Sequence, residues 1–281
     1  MNPTKLTPGS FATRGLLVAA VAFLGGAAAF GGLFDRATAQ APVEKAASAK
    51  AIEAFSKQQK AGIEAIVREY LLANPEILFE VQNLLEKRAE EMQAERMKTA
   101  IKSNAEELYR RTDAPMAGDP DGDVTVVEFF DYNCGFCKRG LSQLSKLIDN
   151  DKKVRVVLKE LPILSQGSEE ASRIALAAKK QGKYWEVHSA LLNHRGALDG
   201  NSAMRVAGKL GLDVEKLNKD KDSKEVTAEI EKVREIAQKM GINGTPHFLV
   251  GDRTIPGAPE NLYEQLAGHV KDLRENGCEV C

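Results

Sequence analysis

The chain carries four cysteines in two Cys-x-x-Cys pairs, Cys134 with Cys137 and Cys278 with Cys281. Two thiols at this spacing can close a disulfide, so one can attack a substrate sulfur and the other can displace the adduct. The same spacing also suits thiolate ligation of a soft metal. The settings of the two pairs differ. Cys134 follows Val124 to Phe130, which reads as a buried strand, and precedes Leu141, Leu144, Leu147 and Ile148, whose spacing marks the core face of a helix. A sulfur at that junction meets the positive end of the helix dipole and unpaired N–H groups, both of which favour thiolate over thiol. Cys134 is therefore the expected nucleophile and Cys137, one turn on, the expected resolving thiol. Gly135 leaves room for a partner's backbone, and Lys138 and Arg139 add positive charge. Cys278 and Cys281 lie in the final GCEVC, where no helix can follow. Three readings stay open for them: a structural disulfide, an auxiliary redox pair exchanging with the central one, or a metal-binding tail.

A second segment bears on the same chemistry. In GINGTPHFLV, from Gly241, Pro246 stands where a strand begins, and there its missing N–H does no harm. A cis Thr245–Pro246 bond would turn the Thr245 backbone outward beside the cysteines, where an extended substrate could pair with it. Phe136, between the cysteines, would lie under that substrate. His247 either contributes from across the site or points to the other strand face.

These residues need a scaffold. The pattern predicts strands at Val124 to Phe130 and Val154 to Leu158 around one helix, a helical tract from about 168 to 240, then two short strands, His247 to Val250 and Arg253 to Ile255, and a last helix from about Glu260. This order fits an α/β thioredoxin-like fold with an inserted helical domain. Pro115 to Asp123 reads as turn chemistry. Before it, Ile63, Ile66, Val67, Tyr70 and Leu71 form an apolar stripe. Asn74–Pro75 then opens a second helix, expected to run toward Arg111, with Leu78, Val81, Leu85 and Met92 along one side. That seam packs on its own domain or mediates self-association. Residues 1–39 read as an export signal, or an uncleaved anchor, because GLLVAAVAFLGGAAAFGGLF is uncharged and leads to Ala37-Thr38-Ala39. The expected division is thus 1–39 signal, 40–112 helical arm and 113–281 catalytic domain, working in the periplasm. With 39 Lys and Arg against 40 Asp and Glu, the composition gives no support to nucleic-acid binding.

FFDYNCGFC, VVLKELPIL and GINGTPHFLVG together resemble the DsbA family of extracytoplasmic thiol-disulfide oxidoreductases. REYLLANPEILFE, from Arg68, is similar to the N-terminal arm of ScsC- and Com1-like members. The resemblance implies that Cys134 attacks, that Cys137 resolves and that Pro246 is a cis-proline preceded by Thr245. It implies exported cysteine-containing proteins as substrates, a separate redox partner, no cofactor, and an arm able to form homo-oligomers. Glu128 occupies the position at which family members bury an acid beneath the site, where it could relay a proton; alternatively it escapes at a sheet end. Lys159 is its expected partner, or is solvent-exposed. The absence of histidine from Gly135-Phe136 leaves oxidation, reduction and isomerisation open. Two other functions compete: a zinc or copper protein using all four thiolates, and an oligomeric chaperone module.

Overall fold

The computed structural model describes residues 54–278, so the signal or anchor at 1–39 lies outside the described residues. The chain divides into two compact units, Met1–Pro75 and Glu76–Cys281.

The described part of the first unit is helix α1 (Lys57–Ala73). It opens with a capping box in which Ser56 Oγ accepts from the Gln59 N–H and Gln59 Oε1 accepts from the Ser56 N–H, satisfying two orphan donors. No residue of α1 is buried, and Ile66 and Tyr70 are well exposed.

The second unit begins with α2 (Glu76–Ser103), followed by a π-helical turn at Glu106–Arg110. The two ends of α2 differ. Leu78, Val81, Leu85 and Met92 are exposed, whereas Met97, Ala100 and Ile101 are buried against α8. The stretch from Met97 onward is therefore part of the catalytic unit's core, because its apolar residues meet an apolar helix face.

The sheet contains β1 (Met116–Gly118), β2 (Val124–Phe130), β3 (Val154–Glu160), β4 (His247–Val250) and β5 (Arg253–Pro256), in the order β1-β3-β2-β4-β5. β2 and β3 are parallel and joined by α3 (Gly135–Asn150); the other pairings are antiparallel. β1 corrects the expectation of a plain turn over Pro115 to Asp123. Met116 and Gly118 pair with Val157 and Arg155, and this edge pairing overrides a composition that reads locally as turn. Between β3 and β4 lies the helical insertion: α4 (Gln166–Lys179), α5 (Tyr184–Leu192), α6 (Gly200–Lys209), α7 (Val214–Asp220) and α8 (Lys224–Met240). α9 (Leu262–Asn276) closes the fold.

Every residue of β2 and β3 is buried, so the pleat decides what each side chain meets. Val126, Phe130 and Leu158 face a core shared with α3, α4, α5 and α9. Val127, Phe129 and Val157 face a second core shared with α2 and α8. Each large apolar side chain so buried contributes about 1.5–3 kcal/mol. At the end of α8, Gly241 takes φ +70°, and a Cβ there would come within 2.6 Å of the Gln93 side chain on α2. Gly241→Ala is expected to cost about 1–2 kcal/mol, read as a lower midpoint in urea, through both the left-handed backbone and the crowded helix contact.

Candidate active site

β2 delivers the chain through Asp131-Tyr132-Asn133 to Cys134, which is the N-cap of α3. Cys134 Sγ accepts a hydrogen bond from the Cys137 N–H at 3.3 Å, so the sulfur occupies the place of a capping oxygen. In its protonated form the thiol donates to the Thr245 carbonyl, 3.1 Å away. The Thr245–Pro246 bond is cis. Both thiols are free; Cys134 keeps 5% of its surface exposed and Cys137 none.

The two sulfurs are electrostatically opposite. A hydrogen bond from Cys137, a further one from the Thr245 side chain and the backbone N–H groups of Cys137 and Phe136 outweigh burial and bring Cys134 down to about 6. Burial above all, then the bond to Cys134 and the nearby Glu128 charge, push Cys137 far above the ordinary thiol value. At neutral pH the Cys134 sulfur is a thiolate and Cys137 keeps its proton.

Beneath them, Glu128 is 1% exposed, and neither of its carboxylate oxygens has a hydrogen-bond partner. Burial, with the charges of Cys134 and Glu160 adding to it, raises its pKa to about 8. It therefore does not escape at a sheet end. A second buried acid shares this side of the sheet. Glu160 Oε1 accepts from the hydroxyls of Tyr132 at 2.9 Å and Tyr184 at 2.7 Å, and Tyr132 also lies 3.3 Å from His188 Nδ1.

Lys159 behaves otherwise than expected. It is fully buried and its Nζ lies 2.8 Å from Glu107 Oε1, not beside Glu128. The parallel register explains this: Glu128 is level with Leu158 and Lys159 with Phe129, so the two charged groups emerge on opposite faces of the sheet. Burial alone would raise the Glu107 pKa, but hydrogen bonds and charge from Lys159 and Arg111 bring it below the usual carboxylate range. Lys159→Ala is expected to destabilise the fold by about 3 kcal/mol in urea denaturation, because it leaves Glu107 short of a buried partner. The same variant should leave the alkylation midpoint of Cys134 unmoved. His247 is level with Phe129 and so also points away from Glu128, with burial lowering its pKa to about 4.

Sequence reasoning missed the clamp on the loop before Cys134. Asp131 accepts from the N–H groups of Asn133, Ile163 and Leu164, and the Asn133 amide pairs with both the N–H and the carbonyl of Leu198. Asp and Asn preceding the cysteine are the available signal, since both are prone to bond backbone in turns. Their partners lie far along the chain. Phe136 stands 53% exposed at the rim, with the Arg139 guanidinium 4.2 Å above its ring.

Cys278, the described member of the terminal pair, is remote from the site. Cys278 is disulfide-bonded and lines a small cavity with Val124 and Thr125, at the start of β2; Cys281 lies outside the described residues. The strand places Cys278 about 20 Å from the catalytic sulfurs. Among the described residues no group of metal-ligating side chains comes together, and Cys278 lies too far from Cys134 for direct exchange between them within the fold.

A reactive Cys-x-x-Cys at a helix start beside a cis-proline, on a thioredoxin-like sheet with a helical insertion, defines a thiol-disulfide exchange site. Residues 125–270 match the DsbA-like thioredoxin domain, and the chain belongs to this family of thiol-disulfide oxidoreductases. Residues 59–91 match the N-terminal domain of the copper resistance protein ScsC. A thioredoxin-like oxidoreductase from Silicibacter pomeroyi is 45% identical, with a TM-score of 0.58 over 60% of this chain and 97% of its own. A linker-deletion mutant of Proteus mirabilis ScsC is 29% identical, with a TM-score of 0.60 over 79% of this chain and 98% of its own. Among curated proteins, the thiol:disulfide interchange protein DsbA of Bordetella parapertussis is 28% identical over 58% of this chain and 81% of its own. The Na(+)/H(+) antiporter NhaA 3 of Salinispora tropica is 30% identical, but the match takes in 52% of this chain and only 22% of the antiporter. This chain therefore spans less than a quarter of the length of the curated antiporters it matches. Among the described residues no helix is long and apolar enough to cross a membrane.

Proposed function

We propose that the chain is an exported thiol-disulfide oxidoreductase that reshuffles and reduces disulfides in other exported proteins. The observation that carries this reading is Cys134: an N-cap sulfur brought down to about 6, with a protonated Cys137 directly behind it. Cys134 thiolate attacks one sulfur of a substrate disulfide, forming a new S–S bond and releasing the other sulfur as thiolate. Cys137 then gives up its proton and displaces the substrate from Cys134, so that two electrons pass from the dithiol to the substrate. In isomerisation a second substrate thiolate performs that displacement, and the dithiol is regenerated. Glu128 is the proton partner of Cys137; its pKa near neutrality suits exchange in either direction. Thr245, Pro246 and Phe136 form the edge along which the substrate lies. Lys159 takes no part. Export uses residues 1–39 and places the protein in the periplasm, where a separate redox protein restores the dithiol.

The exposed apolar residues of α1 and α2 favour isomerisation over simple oxidation. On each helix these residues are apolar surface left uncovered among the described residues, which suits self-association, and an oligomer would surround one client with several reactive thiolates. Recovery of scrambled ribonuclease in glutathione buffer, measured together with solution mass, tests this. Wild type is expected to be oligomeric and to restore ribonuclease activity. Leu78→Glu with Leu85→Glu should yield monomers that still reduce insulin but lose most of the repair. Rapid oxidation of reduced ribonuclease by a monomeric wild type, without repair, would contradict the reading.

A further inference from the structure

Beside the cis-proline the surface opens into a groove of about 840 Å³. One wall comes from Phe136, Ile242, Thr245 and Pro246, next to the reactive sulfur. The opposite wall is helix α2, through Ala89, Glu90, Gln93, Ala94 and Met97. Gln93, Ala94 and Met97 fall between the two matched family regions, 59–91 and 125–270. The helix is fixed as a wall: Gln93 Nε2 donates to the Met240 carbonyl at 3.2 Å, and Met97 is buried against α8.

The charged groups of the groove share one sign, beside the neutral polar side chains of Gln93, Asn243 and Thr254. Its formally charged side chains are Glu90 and Asp252, and no Lys or Arg lines it. Asp252 is engaged by Arg253 at 2.8 Å, whereas Glu90 has no ion-pair or hydrogen-bond partner among the described residues. His247 adds a ring nitrogen, Nε2, that is buried without a partner. A neutral imidazole offers one acceptor nitrogen, and carboxylates only accept. The floor is apolar. A helix advances 100° per residue, so the wall residues centre roughly 120° around α2 from the stripe of Leu78, Val81, Leu85 and Met92. Self-association through that stripe would leave the groove open.

From this geometry we infer that Glu90 selects substrates in which a Lys or Arg lies close to the reactive cysteine on an extended, otherwise apolar segment. The segment follows the Thr245–Pro246 edge, its apolar side chains rest on Phe136, Ile242 and Met97, and its cationic side chain reaches Glu90. This inference rests on the exchange activity proposed above and adds the chemical class of the substrate. Since Glu90 is exposed, its contribution is that of a screened charge pair.

The test uses the full chain, reduced and in excess over substrate, with two synthetic peptides carrying one cysteine as a mixed disulfide with glutathione. Both have the same apolar flanks; one has lysine, the other glutamate, a few residues from the cysteine. Cys134 attacks the peptide sulfur and releases glutathione thiolate; Cys137 then releases the peptide thiol. We expect the lysine peptide to react roughly threefold to fivefold faster at low, subsaturating peptide concentration. The difference should lie in the half-saturating concentration, with maximal rates alike, and should shrink in high salt. Glu90→Gln should abolish the preference and Glu90→Lys reverse it, both without moving the alkylation midpoint of Cys134. Equal rates for both peptides in wild type, or a preference that survives in Glu90→Lys, would overturn the inference while leaving the exchange activity intact. Failure to reduce either peptide, or glutathione disulfide itself, would overturn the exchange reading and this inference with it.

Discussion

Cys137→Ala will trap substrate protein on Cys134 as a mixed disulfide that survives nonreducing electrophoresis and disappears with dithiothreitol. The variant keeps the attacking sulfur at the start of α3 but lacks the thiol that displaces the adduct. Multiple turnover with insulin should fall on the order of a hundredfold or more, since release then waits on an external thiol. The first attack should slow as well. Hydrogen bonding from Cys137 is the largest influence lowering the Cys134 pKa, so its removal must raise that pKa and reduce the thiolate fraction at neutral pH. A doubly substituted chain, Cys134→Ala with Cys137→Ala, should trap nothing. Trapping by that double variant, or none by Cys137→Ala alone, would contradict the order of attack.

Glu128→Gln is expected to stabilise the protein and to slow it. The Glu128 carboxyl loses its proton near 4.5 in the unfolded chain and near 8 in the folded one. Between those values the folded state holds more protons, so this group's contribution is most favourable below about pH 4.5 and declines as pH rises toward 8. At pH 7 the deficit is on the order of 3 kcal/mol. Gln is as poorly paired in this pocket as the protonated acid but carries no such pH dependence. Urea unfolding should therefore show the variant more stable than wild type at pH 7, with little difference near pH 4. Stopped-flow exchange should show the attack by Cys134 unchanged and release by Cys137 slowed about a hundredfold. A variant that is destabilised across the whole pH range, or that releases substrate at the wild-type rate, would remove Glu128 from the proton path.

What could be read in the sequence was what local pattern decides. Val124 to Phe130, the helix after Cys134 and the strand from His247 each announce themselves through apolar runs and spacing, and the structure places them as the sheet and helix that carry the site. The cis-proline segment was legible because a proline entering a strand needs a special position. What failed depended on register or on distant partners. Lys159 lies one residue beyond the position level with Glu128, and in a strand one residue changes the face. Its partner Glu107 sits in a π-helical turn that no short-range pattern marks. β1 exists because β3 offers it an edge, although Gly118 and the prolines around it suggest only a turn. Asp131 and Asn133 could be named as turn-forming, but their bonds to Ile163, Leu164 and Leu198 require the folded chain. The groove wall on α2 was hidden for the same reason. Its residues lie off the apolar seam of Leu78, Val81, Leu85 and Met92, and they become a wall only when α8 is packed against the helix.

The central claim is that Cys134 is a thiolate at neutral pH because the start of α3 and Cys137 make it one. Iodoacetamide alkylation of the fully reduced chain, followed by mass spectrometry of the peptide bearing Cys134 across pH 4 to 10, measures this directly. The account predicts a rate that rises to half its plateau near pH 6, with Cys137 unmodified throughout. A midpoint near the free-cysteine value of about 8.5, or prior modification of Cys137, would contradict it.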